Sequence, residues 1–189
     1  RDTDRSRGLG DVYKRQHLGD GAFFGTHIAE PVLPEGLLSM GDAVFQNCDS
    51  ITEITSWPLW RVPDGTFFEC LGLMRVILPD TVEMLGAGAF YGCTALCDIS
   101  LGEGLRAIGE SAFEGCSALE EITLPEGLET LGGSAFMDCG ALRICRLPAS
   151  LAYIGEDAFA QCPNLCLVVS KDSYAERYAI ESELAFRHE

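Results

Sequence analysis

The stretch Leu101–Thr123, LGEGLRAIGESAFEGCSALEEIT, decides the fold because its pattern returns along most of the chain. The period is 23 residues, with a half unit at the start and one unit that is a residue short. The units are 17–32 (the back half), 33–55, 56–77 (the short one), 78–100, 101–123, 124–146 and 147–169. A fixed period of this length is typical of a solenoid, in which neighbouring units stack and share one core.

A phenylalanine marks the same place in each of the six later units, and a cysteine follows it three residues later. These pairs are Phe45 and Cys48, Phe67 and Cys70, Phe90 and Cys93, Phe113 and Cys116, Phe136 and Cys139, and Phe159 and Cys162. In the half unit Phe23 is followed by Thr26 instead. Because both residue types recur in phase with the period, we predict that they belong to the shared core.

Apolar spacing within one unit predicts two kinds of local structure. Ile122 and Leu124 are two residues apart, as in a strand with one buried face. Ala112, Cys116 and Leu119 are spaced by four and three residues, which favours a short helical segment. We therefore predict an α/β repeat with one parallel β-sheet on one side and short helical or irregular segments on the convex side.

The string LPEGLETLGGSAF at 124–136, followed by Cys139, resembles the BspA-type leucine-rich repeat, a 23-residue class frequent in bacterial surface proteins. The resemblance covers Leu18 to about Val169. It implies a leucine-rich-repeat solenoid that is extracellular or attached to the cell surface. It also implies a role in adhesion, through binding of host or microbial proteins.

The unit 56–77 departs from this pattern, since SWPLWRVPDGTFFEC lacks the LPxG opening and the Ile-Gly step. We predict a bulge or bend in the rod at this unit. Trp57 and Trp60 both lie there and have two interpretations. They either repair the core locally or form an aromatic binding spot, since tryptophan is enriched at interaction hot spots.

The two ends of the chain do not follow the repeat. At 170–189, Asp172 or Ser173 can cap a short helix carrying Tyr174 and Tyr178, and Leu184 and Phe186 then alternate as in a last strand. We predict a C-terminal helical cap, because a solenoid must cover its open core.

At 1–16 the sequence RDTDRSRGLGDVYKRQ resembles a translated transposon-type sequencing adapter from Ser6 onward. The alternative is a disordered basic N-terminal tail. Without these residues, 8 Lys and Arg stand against 26 Asp and Glu, a net charge of −18. On the first interpretation the true N-terminus is missing, and the first repeat is truncated.

Composition and motifs exclude several classes of function. A net charge of −16 argues against nucleic-acid binding, which needs clustered Lys and Arg. No apolar run approaches the roughly 18 residues of a membrane span. None of the common hydrolase, nucleotide-binding or metalloprotease motifs occurs, so we expect no catalysis and no cofactor. We predict a monomeric, non-catalytic binding module; the alternative is an accessory domain of a larger enzyme whose catalytic part lies upstream.

The nine cysteines admit three interpretations. Their spacing is poor for a metal site, and stacked units give disulfides an unfavourable geometry. We favour a ladder of buried free thiols, with Cys145 also in the core. Cys97 and Cys166 fall at the edge of a strand, so we expect these two to be the most exposed.

A binding surface is expected on the outer side of the predicted strands, because solenoids bind extended ligands on their concave face. In each unit two outward positions flank the inward one, and these positions vary from unit to unit. The candidate binding residues are Glu53, Thr55, Arg75, Ile77, Asp98, Ser100, Glu121, Thr123, Ile144, Arg146, Leu167 and Val169. We expect an apolar patch of Ile144, Leu167 and Val169 beside Arg146 for a protein or peptide partner.

Overall fold

The computed structural model describes residues 16–189, so the adapter-like segment lies outside the described residues except for Gln16. The described chain is a solenoid of parallel strands that ends in one helix. The strands are β1 His17–Leu18, β2 Ser39–Met40, β3 Glu53–Ile54, β4 Arg61–Val62, β5 Arg75–Ile77, β6 Met84–Leu85, β7 Asp98–Ser100, β8 Ala107–Ile108, β9 Glu121–Thr123, β10 Thr130–Leu131, β11 Ile144–Leu147, β12 Tyr153–Ile154, β13 Cys166–Val169 and β14 Phe186–His188, and the helix is α1 Tyr174–Glu181. The predicted solenoid with a C-terminal helical cap is confirmed.

The strands lie on two faces of the solenoid, so the prediction of one parallel sheet is wrong. Strands β3, β5, β7, β9, β11, β13 and β14 form what we call the strand face. Strands β1, β2, β4, β6, β8, β10 and β12 form the second face. A full unit contains two short strands, because the residues that lead into its Ile-Gly step also pair with those of the neighbouring units, as β8 does with β6 and β10. Gly109 N–H donates to the Leu85 carbonyl at 2.8 Å, and a Cβ on Gly109 would lie 2.6 Å from the Ala87 nitrogen.

The third side of each unit consists of turns, so the predicted short helical or irregular segments take the irregular form. Ser111 and Gly115 both have positive φ, 53° and 74°, which interrupts a right-handed helix. The backbone instead bonds to the next unit, as when Phe113 N–H donates to the Ala135 carbonyl at 2.8 Å. Hydrogen bonds between units therefore run along all three sides of the solenoid.

The marker phenylalanines form one continuous column through the core. Each ring stacks on the next with nearly parallel planes, from Phe23 on Phe45 to Phe136 on Phe159, and the centroid distances run from 5.1 to 5.6 Å. Tyr178 of α1 tilts over Phe159 at 6.3 Å. The cap helix thus covers the last ring of the column, which would otherwise face water.

The marker cysteines bond to the unit before their own. Each Sγ donates to the carbonyl of the marker phenylalanine one unit earlier, for instance Cys116 to Phe90 at 3.2 Å and Cys139 to Phe113 at 3.1 Å. All six marker cysteines are buried and free, as is Cys145. The predicted ladder of buried thiols is therefore present. Each thiol adds a second hydrogen bond to a carbonyl that already accepts a backbone N–H, as when Phe90 O accepts from Cys93 N–H at 3.2 Å. A plain apolar residue of the same size would lose this link between units.

The short unit interrupts the second face. Gly41 N–H donates to the Leu18 carbonyl at 2.9 Å, and Gly86 N–H donates to the Val62 carbonyl at 2.8 Å. Between them the equivalent position is Pro63, which has no N–H to donate. Accordingly β2 and β4 belong to different sheets. The strand face is continuous at this point, because β3 pairs with β5.

The two tryptophans of this unit have different environments. Trp57 is 4% exposed, packs edge-on against Phe67 at 5.7 Å and donates its indole N–H to the Arg61 carbonyl at 2.8 Å. Trp60 is 55% exposed, with the Arg61 guanidinium 6.0 Å from its ring. Trp57 repairs the core, whereas Trp60 lies on the surface.

This difference predicts unequal effects of the same substitution. Trp57→Phe should lower the free energy of unfolding by about 1 kcal/mol, because the Arg61 carbonyl loses its donor. Trp60→Phe should change it by less than about 0.5 kcal/mol. Urea unfolding followed by circular dichroism measures both. Equal losses in the two variants would contradict the assignment of Trp57 to the core.

The C-terminal cap is built as the sequence predicts. Ser173, one of the two candidate N-caps, accepts a hydrogen bond from the Glu176 N–H at 3.1 Å and begins α1. After the helix, β14 pairs with β13 as a seventh strand of the strand face, with Phe186 opposite Leu167. A side-chain hydrogen bond joins β14 to α1, with Nε2 of His188 at 2.5 Å from Oε1 of Glu176. This hydrogen bond is the main reason that the pKa of Glu176 is lowered.

Candidate binding face

The strand face presents two columns of outward side chains. Cα pairing places Glu53 beside Arg75 and Arg75 beside Asp98 in the first column. In the second column Thr123, Arg146, Val168 and Arg187 are successive partners. The inward positions between the columns are Ile54, Val76, Ile99, Ile122, Cys145 and Leu167. The structure thus gathers ten of the twelve predicted positions on one surface.

Leu167 and Val169 do not belong to this surface, and their predicted exposure is wrong. Both are fully buried, and Val169 pairs with buried Leu147. The cause is one residue missing between Leu165 and the strand, so that Cys166 pairs with Ile144, 22 positions earlier. A shift of one residue moves every side chain of a strand to the other face. Cys166 and Val168 lie on the other side of the strand instead, where Cys166 is half-buried and Val168 is 5% exposed.

The charges of the strand face are sorted in part along the solenoid. Carboxylates lie in its first and middle units, at Glu53, Asp98, Glu120 and Glu121, with Arg75 among them, whereas Arg143, Arg146 and Arg187 lie towards the cap. Two ion pairs join adjacent units: Arg75 with Asp98 at 2.9 Å, and Arg143 with Glu120. Because the side chains of these pairs are half or more exposed, the pairs contribute little to stability. They do fix charges of opposite sign at defined places on the face.

A cavity of about 400 Å³ lies at the basic end, between β11, β13 and the terminal strand β14. Arg146 and Arg187 stand on either side of Val168, with His188 and Glu189 completing the wall. Sequence reasoning missed Arg187 as a binding-face residue. The available signal was the alternation of Leu184 and Phe186, which directs the next side chain outward.

A second cavity, of about 340 Å³, lies in the middle of the strand face between β7 and β9. These are neighbouring strands of successive units, yet they belong to different sheets. The second face is continuous across the same two units, since β6, β8 and β10 are paired. Strand pairing is therefore interrupted on the strand face at this point, whereas it continues on the second face. The repeat pattern alone does not predict this opening.

The repeat has a counterpart among known families. The BspA type leucine rich repeat region matches residues 14–58 and 60–179, in six copies. The chain belongs to this family. No curated protein matches the chain.

Solved structures of bacterial repeat proteins share the family's fold. A leucine-rich repeat protein from Bacteroides ovatus is 32% identical over 92% of this chain and 45% of its own, with a TM-score of 0.80. The T. pallidum leucine rich repeat protein is 40% identical over 61% of this chain and 54% of its own, with a TM-score of 0.58.

A third similar structure is a leucine rich cell surface protein from Faecalibacterium prausnitzii. It is 25% identical over 87% of this chain and 54% of its own, with a TM-score of 0.66. This BspA-type chain thus spans about half the length of the proteins it matches.

The described chain offers neither a metal site nor a membrane-spanning helix. Within residues 16–189 there is no group of three or more His, Cys, Asp or Glu side chains placed to hold a metal ion. No helix in the same range has the length and apolar character needed to cross a bilayer.

Proposed function

We propose that this BspA-type solenoid is a non-catalytic adhesion module that acts as a monomer at a bacterial surface or outside the cell, and that it binds a protein or peptide with its strand face. The observation that carries the proposal is the contrast between the two sides of each strand. Inward positions are apolar in every unit, whereas outward ones change from Glu53 to Arg75 to Asp98. A constant core with variable outward residues provides a surface for recognition.

The comparisons support the location and the type of protein. One similar structure is described as a cell surface protein, and the others are leucine-rich repeat proteins. The strand face also offers a specific chemistry, with carboxylates in its first and middle units and three arginines towards the cap. Sorted charge of this kind selects a partner and fixes its orientation. The whole protein can carry further domains, and an accessory role beside an enzyme remains the alternative proposal.

A matched pair of threonines tests the strand face. Thr123 is exposed on β9 of the strand face, and Thr130 is exposed on β10 of the second face, seven residues later. Beads coated with the chain are applied to whole bacterial cells and to immobilised extracellular-matrix glycoproteins. We expect Thr123→Arg to reduce bead attachment about tenfold or more, because a long charged side chain obstructs the contact surface.

Thr130→Arg adds the same charge and volume on the other face and should leave attachment unchanged. If it reduces attachment as much as Thr123→Arg does, the binding surface is not the strand face. If wild-type beads attach to none of these surfaces, the proposed adhesion is wrong.

A further inference from the structure

The opening between β7 and β9 interrupts a regular pattern of backbone hydrogen bonds. In the units on either side, Leu78 N–H donates to the Ser100 carbonyl at 2.9 Å, and Leu124 N–H donates to the Arg146 carbonyl at 3.0 Å. Within residues 16–189, Leu101 N–H makes no such bond to Thr123, and the cavity lies at this place. Backbone N–H and carbonyl groups of β7 and β9 therefore lack the partners that the equivalent groups of other units have in a continuous sheet.

The cause is visible in the chain that follows β7. The other full units continue with proline after the strand's last leucine, as at Pro79 and Pro125, whereas this unit has Gly102. A Cβ on Gly102 would lie 2.3 Å from the Pro79 carbonyl oxygen, so the chain approaches the preceding unit more closely than a side chain allows. Glu103 N–H is held there by the Asp80 carboxylate at 2.9 Å. The segment 101–104 is thus fixed against the unit before it, on the side away from β9.

The floor of the opening is apolar and accessible. Ile99 and Leu101 are half-buried. Their equivalents Ile122 and Leu124 are 4% and 2% exposed. A volume of about 340 Å³ has room for roughly ten water molecules, or for one long side chain. An apolar stem that displaced this water would gain contact with the floor.

The rim of the opening is acidic and hydroxylated. Glu103 and Glu121 line it together with Ser100 and Thr123. Two other carboxylates of the strand face are already in ion pairs, Asp98 with Arg75 and Glu120 with Arg143. Within residues 16–189, Glu103 and Glu121 have no ion pair. The rim therefore has two carboxylates available above an apolar floor.

We propose that this opening receives an arginine side chain of the partner, with the stem on Ile99 and Leu101 and the guanidinium on Glu121 and Glu103. An arginine suits the opening because it combines an apolar stem with a planar group that binds carboxylates through two parallel hydrogen bonds. The proposal deepens the one made for the strand face and rests on it. It makes the acidic middle of the face the place where a basic segment is anchored.

A small probe tests the opening without any knowledge of the partner. N-acetyl-arginine amide is titrated into ¹⁵N-labelled protein at physiological salt, and amide shifts are followed by NMR. N-acetyl-citrulline amide, which is uncharged and of nearly the same shape, is the matched ligand. We expect saturable shifts at Ile99, Leu101, Glu121 and Thr123 with the arginine probe, and binding at least roughly fivefold weaker with citrulline.

A pair of glutamates provides the protein control. Glu121→Gln should weaken arginine binding roughly fivefold, since one of the two carboxylates is lost. Glu129→Gln removes an exposed charge just before β10 of the second face and should leave it unchanged. Equal binding of citrulline, or an equal effect of the two variants, would overturn the proposal. The bead assay is independent, so loss of the arginine site with intact attachment rejects only the opening.

Discussion

Phe113→Ala is expected to lower the free energy of unfolding by about 3–5 kcal/mol, the range found when a large buried aromatic side chain is removed. The Phe113 ring is fully buried between Phe90 at 5.3 Å and Phe136 at 5.1 Å. No neighbouring side chain can fill the cavity cheaply, because both neighbours are held in the same column. Each stacked contact also adds to the loss beyond the buried area itself.

The measurement is urea unfolding followed by far-ultraviolet circular dichroism. Phe24→Ala is the control, since this ring is 54% exposed and next to the first ring of the column. Its effect should stay below about 0.5 kcal/mol. A loss below about 1 kcal/mol for Phe113→Ala would show that the column does not carry the core. Because repeat proteins unfold unit by unit when coupling is weak, a broadened transition would indicate that the two halves have separated.

The sequence predicts the core of this solenoid well because one period places every buried side chain. Phe113 and Cys116 recur in phase, so their stacking requires no knowledge of any particular turn. The second face was missed because Ala107–Ile108 is a strand of two residues. So short a strand shows no alternation, which is the main signal of a strand in a sequence. The turns with positive φ at Ser111 were missed for a related reason, since serine carries no specific signal for that conformation.

The sequence predicts the binding face less completely than the core. The face depends on the register and pairing of strands from successive units, which the residues of a single unit do not determine. Alignment without gaps put Leu167 outward, although one missing residue turns it inward. The opening between β7 and β9 is a break between two units, and neither unit shows it alone. Gly102 in place of proline is the single trace of it in the sequence. The need for glycine at position 102 is seen only in the structure, where the Pro79 carbonyl leaves no room for a Cβ.

The cysteines should show a large difference in reactivity between the native and the unfolded chain. With Ellman's reagent at pH 8 and no reductant, we expect one fast thiol from exposed Cys97 and a slower one from half-buried Cys166. In denaturant all nine should react. Thiolate is the reactive form, and burial raises the pKa of Cys70 to about 12 from 9.0. That leaves roughly a thousandfold less thiolate than an ordinary cysteine has at this pH.

The same cause protects the rest of the ladder, since burial raises the pKa of Cys93, Cys116 and Cys139 as well. Cys97→Ser should therefore abolish the fast phase in the native protein and leave the remaining thiols unchanged. Cys166→Ser is the matched control and should remove only the slower phase. If the unfolded chain shows seven thiols or fewer without reductant, some cysteines are paired as disulfides. If six react rapidly in the native protein, the ladder is open to solvent and its thiols are not bonded to the phenylalanine carbonyls of the core.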